Sequence, residues 1–339
     1  MLIDVHAHLI TPGMLNRHAF WGPFMKMQGF TVGDFSLGTK QKSKANSDEE
    51  AQANLLAKMT HASRRELMAQ RGVAQIVVST PSHAFMYWAD DFGSEYAQIC
   101  NDELSAFCTK DPAHFAFWAH ANLAKPVEAA REIERAVTQL GAKGVCVGGA
   151  NFNKLQAYSE ELFPVWEMVT RLDVPLMVHG YNQSVWWGDR HSEDRFETTS
   201  IVGDCVDETL FFWYLICGGA LDVFPNLKTY INHAGGMSVF QLGRLAELNK
   251  SMAPDARNKR PFMDYLSNFW FDLDVHHPAL RRAVVDVVGA DQVVYGTNFG
   301  GAYDNGDLTA GLGLSEVDVV KIRSGNARRL LKLDTVATV

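Results

Sequence analysis

LIDVHAHL, residues 2–9, is a short apolar run that carries two histidines one residue apart. Runs of this kind suit strands buried on both faces of a parallel sheet. Seven more follow: AQIVVST (74–80), AFWAHANL (116–123), GVCVGG (144–149), PLMVHG (175–180), KTYINHAG (228–235), FWFDLDV (269–275) and QVVYGTNF (292–299). Amphipathic stretches separate them, such as PVEAAREIERAVTQLG (126–141), with proline at its start and glycine at its end. Strands that alternate with helices eight times over predict an α/β fold, a (β/α)8 TIM barrel. A doubly wound open sheet is the competing topology, but no GxGxxG follows the first strand.

The 339 residues fit one barrel domain spanning 1–339. Residues 10–60 are far longer than an ordinary βα loop and read as a lid-like insertion after strand 1. Its first half is aromatic (Phe20, Trp21, Phe24, Phe30, Phe35) and its second half, 39–52, polar. A second insertion, 181–200, follows strand 5. The net charge of −8, with no basic block, argues against nucleic acid. Five cysteines without CxxC spacing fit a reducing cytoplasm. The most apolar run, 210–224, is too short and glycine-broken to span a bilayer and reads as a buried helix.

In a strand, residues i and i+2 share a face, so His6 and His8 enter the barrel interior together near the strand's C-terminal end. His179 ends strand 5 and His233 ends strand 6. A lone histidine there is ordinary core; histidines at three strand ends of one barrel face predict a metal site. His6, His8 and His179 would supply three ligands to zinc or another first-row divalent ion and leave a position open. His233 is then placed to act as general acid or base. VWWGDRHSEDR (185–195) adds Trp186, Trp187, Arg190 and Arg195, which suit a planar anionic substrate or, equally, a docked surface loop. Asp274, His276, Ser79, Thr80 and His83 are further strand-end candidates, while His277 before Pro278 reads as structural.

The order and spacing of these motifs resemble the amidohydrolase superfamily: HxH at strand 1, histidine after strand 5, HxGG after strand 6 and a G-[ST]-D-type motif after strand 8. The branch resembled is that of aminocarboxymuconate-semialdehyde decarboxylase, with support from NDELSAFCTKDPAHFA (101–116), QLGAKGV (139–145), GGALDVFPNLK (218–228) and SGNARRLL (324–331). The resemblance implies a single zinc or manganese ion bound by His6, His8 and His179, with His233 catalytic. It also implies that Arg244 reaches a neighbouring subunit's site to hold substrate carboxylate. Asn298 in VVYGTNFGG stands where the family carries a metal-ligating aspartate, and Gly300 and Gly301 follow in place of a usual proline. An amide oxygen is a neutral, weaker ligand than a carboxylate. The family's carboxylate-binding basic region is not recognisable in the first insertion, where Lys40, Lys42 and Lys44 are the available stand-ins.

The leading expectation is a metal-dependent enzyme that breaks a carbon–carbon bond in a carboxylated aromatic or dienoate catabolite, by hydrolysis of a meta-cleavage product, as in the lignin-biphenyl ring-cleavage hydrolase of the superfamily. The missing acid and the aromatic insertions motivate it. Non-oxidative decarboxylation is the alternative, hydration a third chemistry, and a non-catalytic ligand-binding homologue the reading from another class. A homodimer or higher homo-oligomer is expected, with no membrane partner.

Overall fold

A computed structural model describes residues 1–16, 48–81, 87, 90–180, 198–299 and 306–333. Seven of the expected strands form one curled parallel sheet in chain order: β1 (Ile3–His8), β2 (Gln75–Ser79), β3 (Phe115–His120), β4 (Gly144–Gly148), β5 (Leu176–His179), β6 (Thr229–Ile231) and β7 (Phe269–Phe271). Every strand residue except the half-buried Trp270 is buried, as two covered faces require. The register sets Ile3 opposite Gln75, Gly148 opposite His179 and Ile231 opposite Phe271.

The expected eighth strand, 292–299, does not form as a strand. It touches both edges of the sheet instead, through parallel bridges of Val293 to Phe271 and of Phe299 to Ala7. Val5 N–H donates to Tyr295 O (2.9 Å) and Phe299 N–H to His6 O (2.7 Å). Side-chain capture explains the irregular ladder. The Asp4 carboxylate takes both the N–H (3.1 Å) and the hydroxyl (2.5 Å) of Thr297. Asn298 then turns left-handed, at φ 54°. Gly296 is required by space: a Cβ there would lie 2.6 Å from Tyr230 Oη and 2.9 Å from His6 Cβ.

Helices follow the strands on the outside. Pro126–Thr138 has proline in its first turn and buries Ala129, Ala130, Ile133 and Ala136 on one face. The apolar run at 210–224 lies in Asp204–Cys217 and a short following turn, and the helix buries Phe211, Phe212, Leu215 and Ile216. It also buries Asp207 and Glu208, two carboxylates that need a reason to be there. A two-residue-per-arm antiparallel hairpin, Asn151–Phe152 with Leu155–Gln156, follows β4.

Of the first insertion, Pro12–Asn16 and Asp48–Lys58 are helical, and Phe20 to Lys44 lie outside the described residues. So do Trp186, Trp187, Arg190 and Arg195, His83, Gly300 and Gly301. All five cysteines are free. No helix among the described residues is long and apolar enough to cross a membrane.

Candidate metal centre

Parity puts His6 and His8 on one face of β1, and the end of β5 and the turn after β6 bring His179 and His233 to them. Ring centroids stand 5.2 Å apart for His6 and His8, 5.1 Å for His6 and His179, 5.0 Å for His8 and His179, and 5.3 Å for His179 and His233. One ring nitrogen each of His6, His179 and His233 falls within 4.8 Å of the others. His8 joins through its Nε2, 3.2 Å from His179 Nε2.

The tautomers of that last pair decide what the cluster can hold. His8 Nδ1 lies 3.2 Å from Thr80 O and 3.0 Å from Ser79 Oγ; His179 Nδ1 lies 2.9 Å from Gly180 O. A carbonyl only accepts, so both Nδ1 atoms carry the hydrogen and both Nε2 atoms present lone pairs. Burial holds both rings neutral, with His8 lowered to about 4 and His179 well below its ordinary value. Two lone pairs facing each other at 3.2 Å repel unless a cation lies between them. Two imidazole nitrogens on one first-row ion stand about 3.0–3.4 Å apart, given bonds of about 2.1 Å. His6 fits the same account: it is buried, held neutral by desolvation, and neither ring nitrogen has a hydrogen-bond partner. The residues present therefore suit a divalent ion.

His233 differs from the other three. Its Nδ1 donates to Glu208 Oε1 at 2.7 Å, and its Nε2 stands 4.0 Å from Asp274 Oδ2. Burial opposes its charged form, but Glu208, Asp274 and Asp272 outweigh that and raise its pKa well above the usual value. Glu208 is itself raised to about 6, first by burial, and also accepts the N–H of Gly180. The backbone is strained here, with φ 49° at His233 and 54° at Ala234, at a cost of roughly 1–3 kcal/mol each. Asp272 stabilises the turn by accepting the N–H of His233 (3.3 Å) and Ala234 (2.9 Å), along with the Tyr230 hydroxyl (2.6 Å).

Asp4, Asp272 and Glu208 were not among the sequence candidates. Asp4 shares the parity of His6 and His8, and Asp272 that of Asp274, so the i, i+2 rule reaches both. Burial pushes Asp4 up to about 7 against its hydrogen bonds from Thr297 and His6. Glu208 left only the trace of an acid inside an apolar helix. Among the residues singled out, Asp274 is buried beside His233, Ser79 and Thr80 orient His8, and His276 is half exposed, 3.7 Å from Asp274. His277 caps Pro278–Val288 by accepting Ala279 N–H, the structural role expected of it. Arg244 lies exposed on the helix Leu242–Ser251, and no hydrogen bond joins it to the cluster among the described residues. Asn298 is half-buried between Thr297, tied to Asp4, and Phe299, tied to His6.

Comparison with known proteins adds to this geometry. Gamma-resorcylate decarboxylase of Polaromonas sp. is 29% identical over 289 residues, covering 80% of this chain and 87% of that protein. The 2-amino-3-carboxymuconate-6-semialdehyde decarboxylase of Dictyostelium discoideum is 26% identical over 268 residues, 76% of this chain and 72% of its own. The crystal structure of a dihydroxybenzoic acid decarboxylase from Polaromonas sp., with bound manganese and the inhibitor 2-nitroresorcinol, superposes with a TM-score of 0.78 at 23% identity, over 99% of this chain and 98% of that one. The amidohydrolase family model matches residues 3–333, from the first residue of β1 to the last described residue. With three of its clustered histidines on strands of one sheet and the fourth in the turn after β6, the chain belongs to the amidohydrolase family.

Proposed function

We propose that this chain is a divalent-metal-dependent, non-oxidative decarboxylase of an aromatic or muconate-type carboxylic acid. The observation that carries the reading is the Glu208–His233 pair: the carboxylate accepts the Nδ1 hydrogen at 2.7 Å, and together with Asp274 and Asp272 it favours the protonated imidazole. Decarboxylation consumes a proton at carbon and no water, whereas hydrolysis needs a base to take a proton from water. A histidine whose proton is favoured by a buried carboxylate suits the first chemistry. The decarboxylase relatives support the same choice over hydrolysis of a meta-cleavage product.

In this reading His6, His8 and His179 would hold the ion, and Asn298 would offer it a neutral oxygen. A divalent ion there supplies positive charge that holds the substrate's carboxylate and an adjacent oxygen. His233 keeps a proton on Nε2 while Nδ1 donates to Glu208. When the bond between ring carbon and carboxylate breaks, its electron pair stays on carbon and takes that proton, and carbon dioxide leaves. Solvent then reprotonates His233. Manganese is the first ion to test, since the related decarboxylase structure holds it, with zinc beside it. The irregular 293–299 segment serves as the eighth stave of a (β/α)8 barrel, Trp186, Trp187, Arg190 and Arg195 are kept as candidate substrate contacts on their residue types alone, and Arg244 acts from a second copy in a homo-oligomer.

Purified protein loaded with manganese or zinc is incubated with 2,6-dihydroxybenzoate, other hydroxylated benzoates and a ring-cleavage product. One organic product with stoichiometric carbon dioxide is expected. Two organic fragments with water consumed would overturn decarboxylation in favour of hydrolysis, and addition of water to a double bond would indicate a hydratase.

A further inference from the structure

Arg64 is the most buried cation among the described residues, at 1% exposure, and none of the described carboxylates pairs with it. One terminal nitrogen donates to His8 O at 2.9 Å and also touches the Met59 sulfur, while its Nε has no partner. Burying a guanidinium is costly, and a backbone carbonyl offsets that cost less than a carboxylate would. Its place in the fold is informative. It sits four residues past Thr60, the N-cap of the helix His61–Gln70 that returns from β1. Phe299 N–H takes His6 O, and the guanidinium takes His8 O, one residue pair further along the same edge of β1.

The same device recurs across the sheet. Arg281 sits four residues past His277, the N-cap of the helix Pro278–Val288. It is buried, and its Nε donates to Leu273 O (3.2 Å) and Val275 O (3.1 Å), the two carbonyls flanking Asp274. Two βα units thus use an arginine at one helix position to hold the strand end that presents a site residue, His8 in one case and Asp274 in the other.

We propose that Arg64 and Arg281 are positioning residues: Arg64 fixes the end of β1 so that His8 presents Nε2 to the ion, and Arg281 fixes Asp274 beside His233. Neither touches the reacting atoms. The proposal rests on the metal-centre reading above. Partners that orient a ligand are worth about 10–100-fold in metal affinity, whereas removing an unpaired buried charge need not destabilise the fold.

The test is manganese affinity by competition titration, with thermal stability, in full-length wild type, Arg64→Met and Arg281→Met. Arg64→Met is expected to hold manganese about 10–100-fold more weakly with its Tm kept or raised. Arg281→Met is expected to keep manganese affinity and to lose on the order of tenfold or more in kcat with KM little changed, as misplacement near the reacting centre does. A Tm that falls while manganese affinity holds in Arg64→Met, or identical effects of the two variants, would overturn the assignment. Should Arg64→Met not fold, Arg64→Lys decides: it keeps the charge but loses the planar fork, so several-fold weaker manganese is expected and an unchanged affinity overturns the role. A wild type that binds neither manganese nor zinc would sink the metal-centre reading itself, a result separable from the others.

Discussion

At the scale of single residues, His233 is set apart from its neighbours by one hydrogen bond, from Nδ1 to Glu208 at 2.7 Å. His233→Ala should retain the ion and lose on the order of 10²–10⁴ in kcat, whereas His6→Ala or His179→Ala should lose the ion, measured by metal content after dialysis. Normal turnover of His233→Ala would make its role structural. The pH dependence has a definite sign. Glu208 raises the pKa of His233, and an acid works only while protonated, so kcat should fall as pH rises through that pKa. Glu208→Gln removes the stabilising charge, lowers the pKa, and should move the alkaline limb of kcat to lower pH; an unmoved limb counts against the pair. Asn298→Asp asks a second question. Asp4, Glu208, Asp272 and Asp274 already bury four carboxylates around the histidines. A further one should tighten the ion yet repel substrate carboxylate, so KM on an aromatic carboxylate should rise. A gain of orders of magnitude in kcat would instead show that the chemistry needs an acid at this position.

At the scale of elements, the weakest ladder lies nearest the chemistry. The 293–299 segment packs its Gly296 against Tyr230, His6 and Asp272, and a methyl group added at Gly296 would lie 3.1 Å from Asp272 Oδ2. Gly296→Ala should therefore push on His6 and cost about 1–3 kcal/mol of stability, with weaker ion binding, read by denaturation of the metal-free and metal-loaded protein. The seven regular strands were legible because two-sided burial writes itself as continuous apolar runs. The eighth run reads the same way yet forms no strand, since Asp4 captures Thr297 and Asn298 turns left-handed, events invisible without the neighbouring chain. His6 with His8 was legible from parity alone, and Asp4 and Asp272 obey the same parity. Glu208 was not: it meets His233 from a helix 25 residues upstream, and only the fold joins them. On the outer layer, Asp173 ends the helix Phe163–Leu172 in a left-handed turn and binds both Lys228 and Lys332 at 2.6 Å. The two lysines depress its pKa, so its contribution is present above the unfolded carboxylate pKa and lost as pH falls through the folded one. Being half exposed, it should be worth only a few tenths of a kcal/mol. The Tm gap between wild type and Asp173→Asn should be small at neutral pH and vanish in acid.

At the scale of the whole molecule, the protomer leaves one expected site residue stranded. Arg244 is exposed, and Met237 and Phe240, which lie in the approach to its helix, are 42% and 40% exposed. A positive group flanked by apolar surface has little to do in one isolated copy, while the centre itself is rich in buried acid and needs positive charge to admit an anion. Assembly about a two-fold axis would meet both needs, because the same surface serves each copy in turn. Sedimentation should then show at least a dimer at assay concentration. Arg244→Ala should keep its ion and raise KM with a smaller effect on kcat, as loss of a substrate contact does. Mixing decides whether the arginine crosses between copies. At substrate far below KM, Arg244→Ala and His233→Ala are each crippled alone, but a hybrid dimer holds one site with an intact His233 from one copy and an intact Arg244 from the other. Refolding an equal mixture makes half the dimers hybrid with one competent site of two, so activity should recover to about a quarter of wild type for a two-fold dimer. If Arg244 serves its own protomer, every site in the mixture lacks one of the two groups and nothing is recovered.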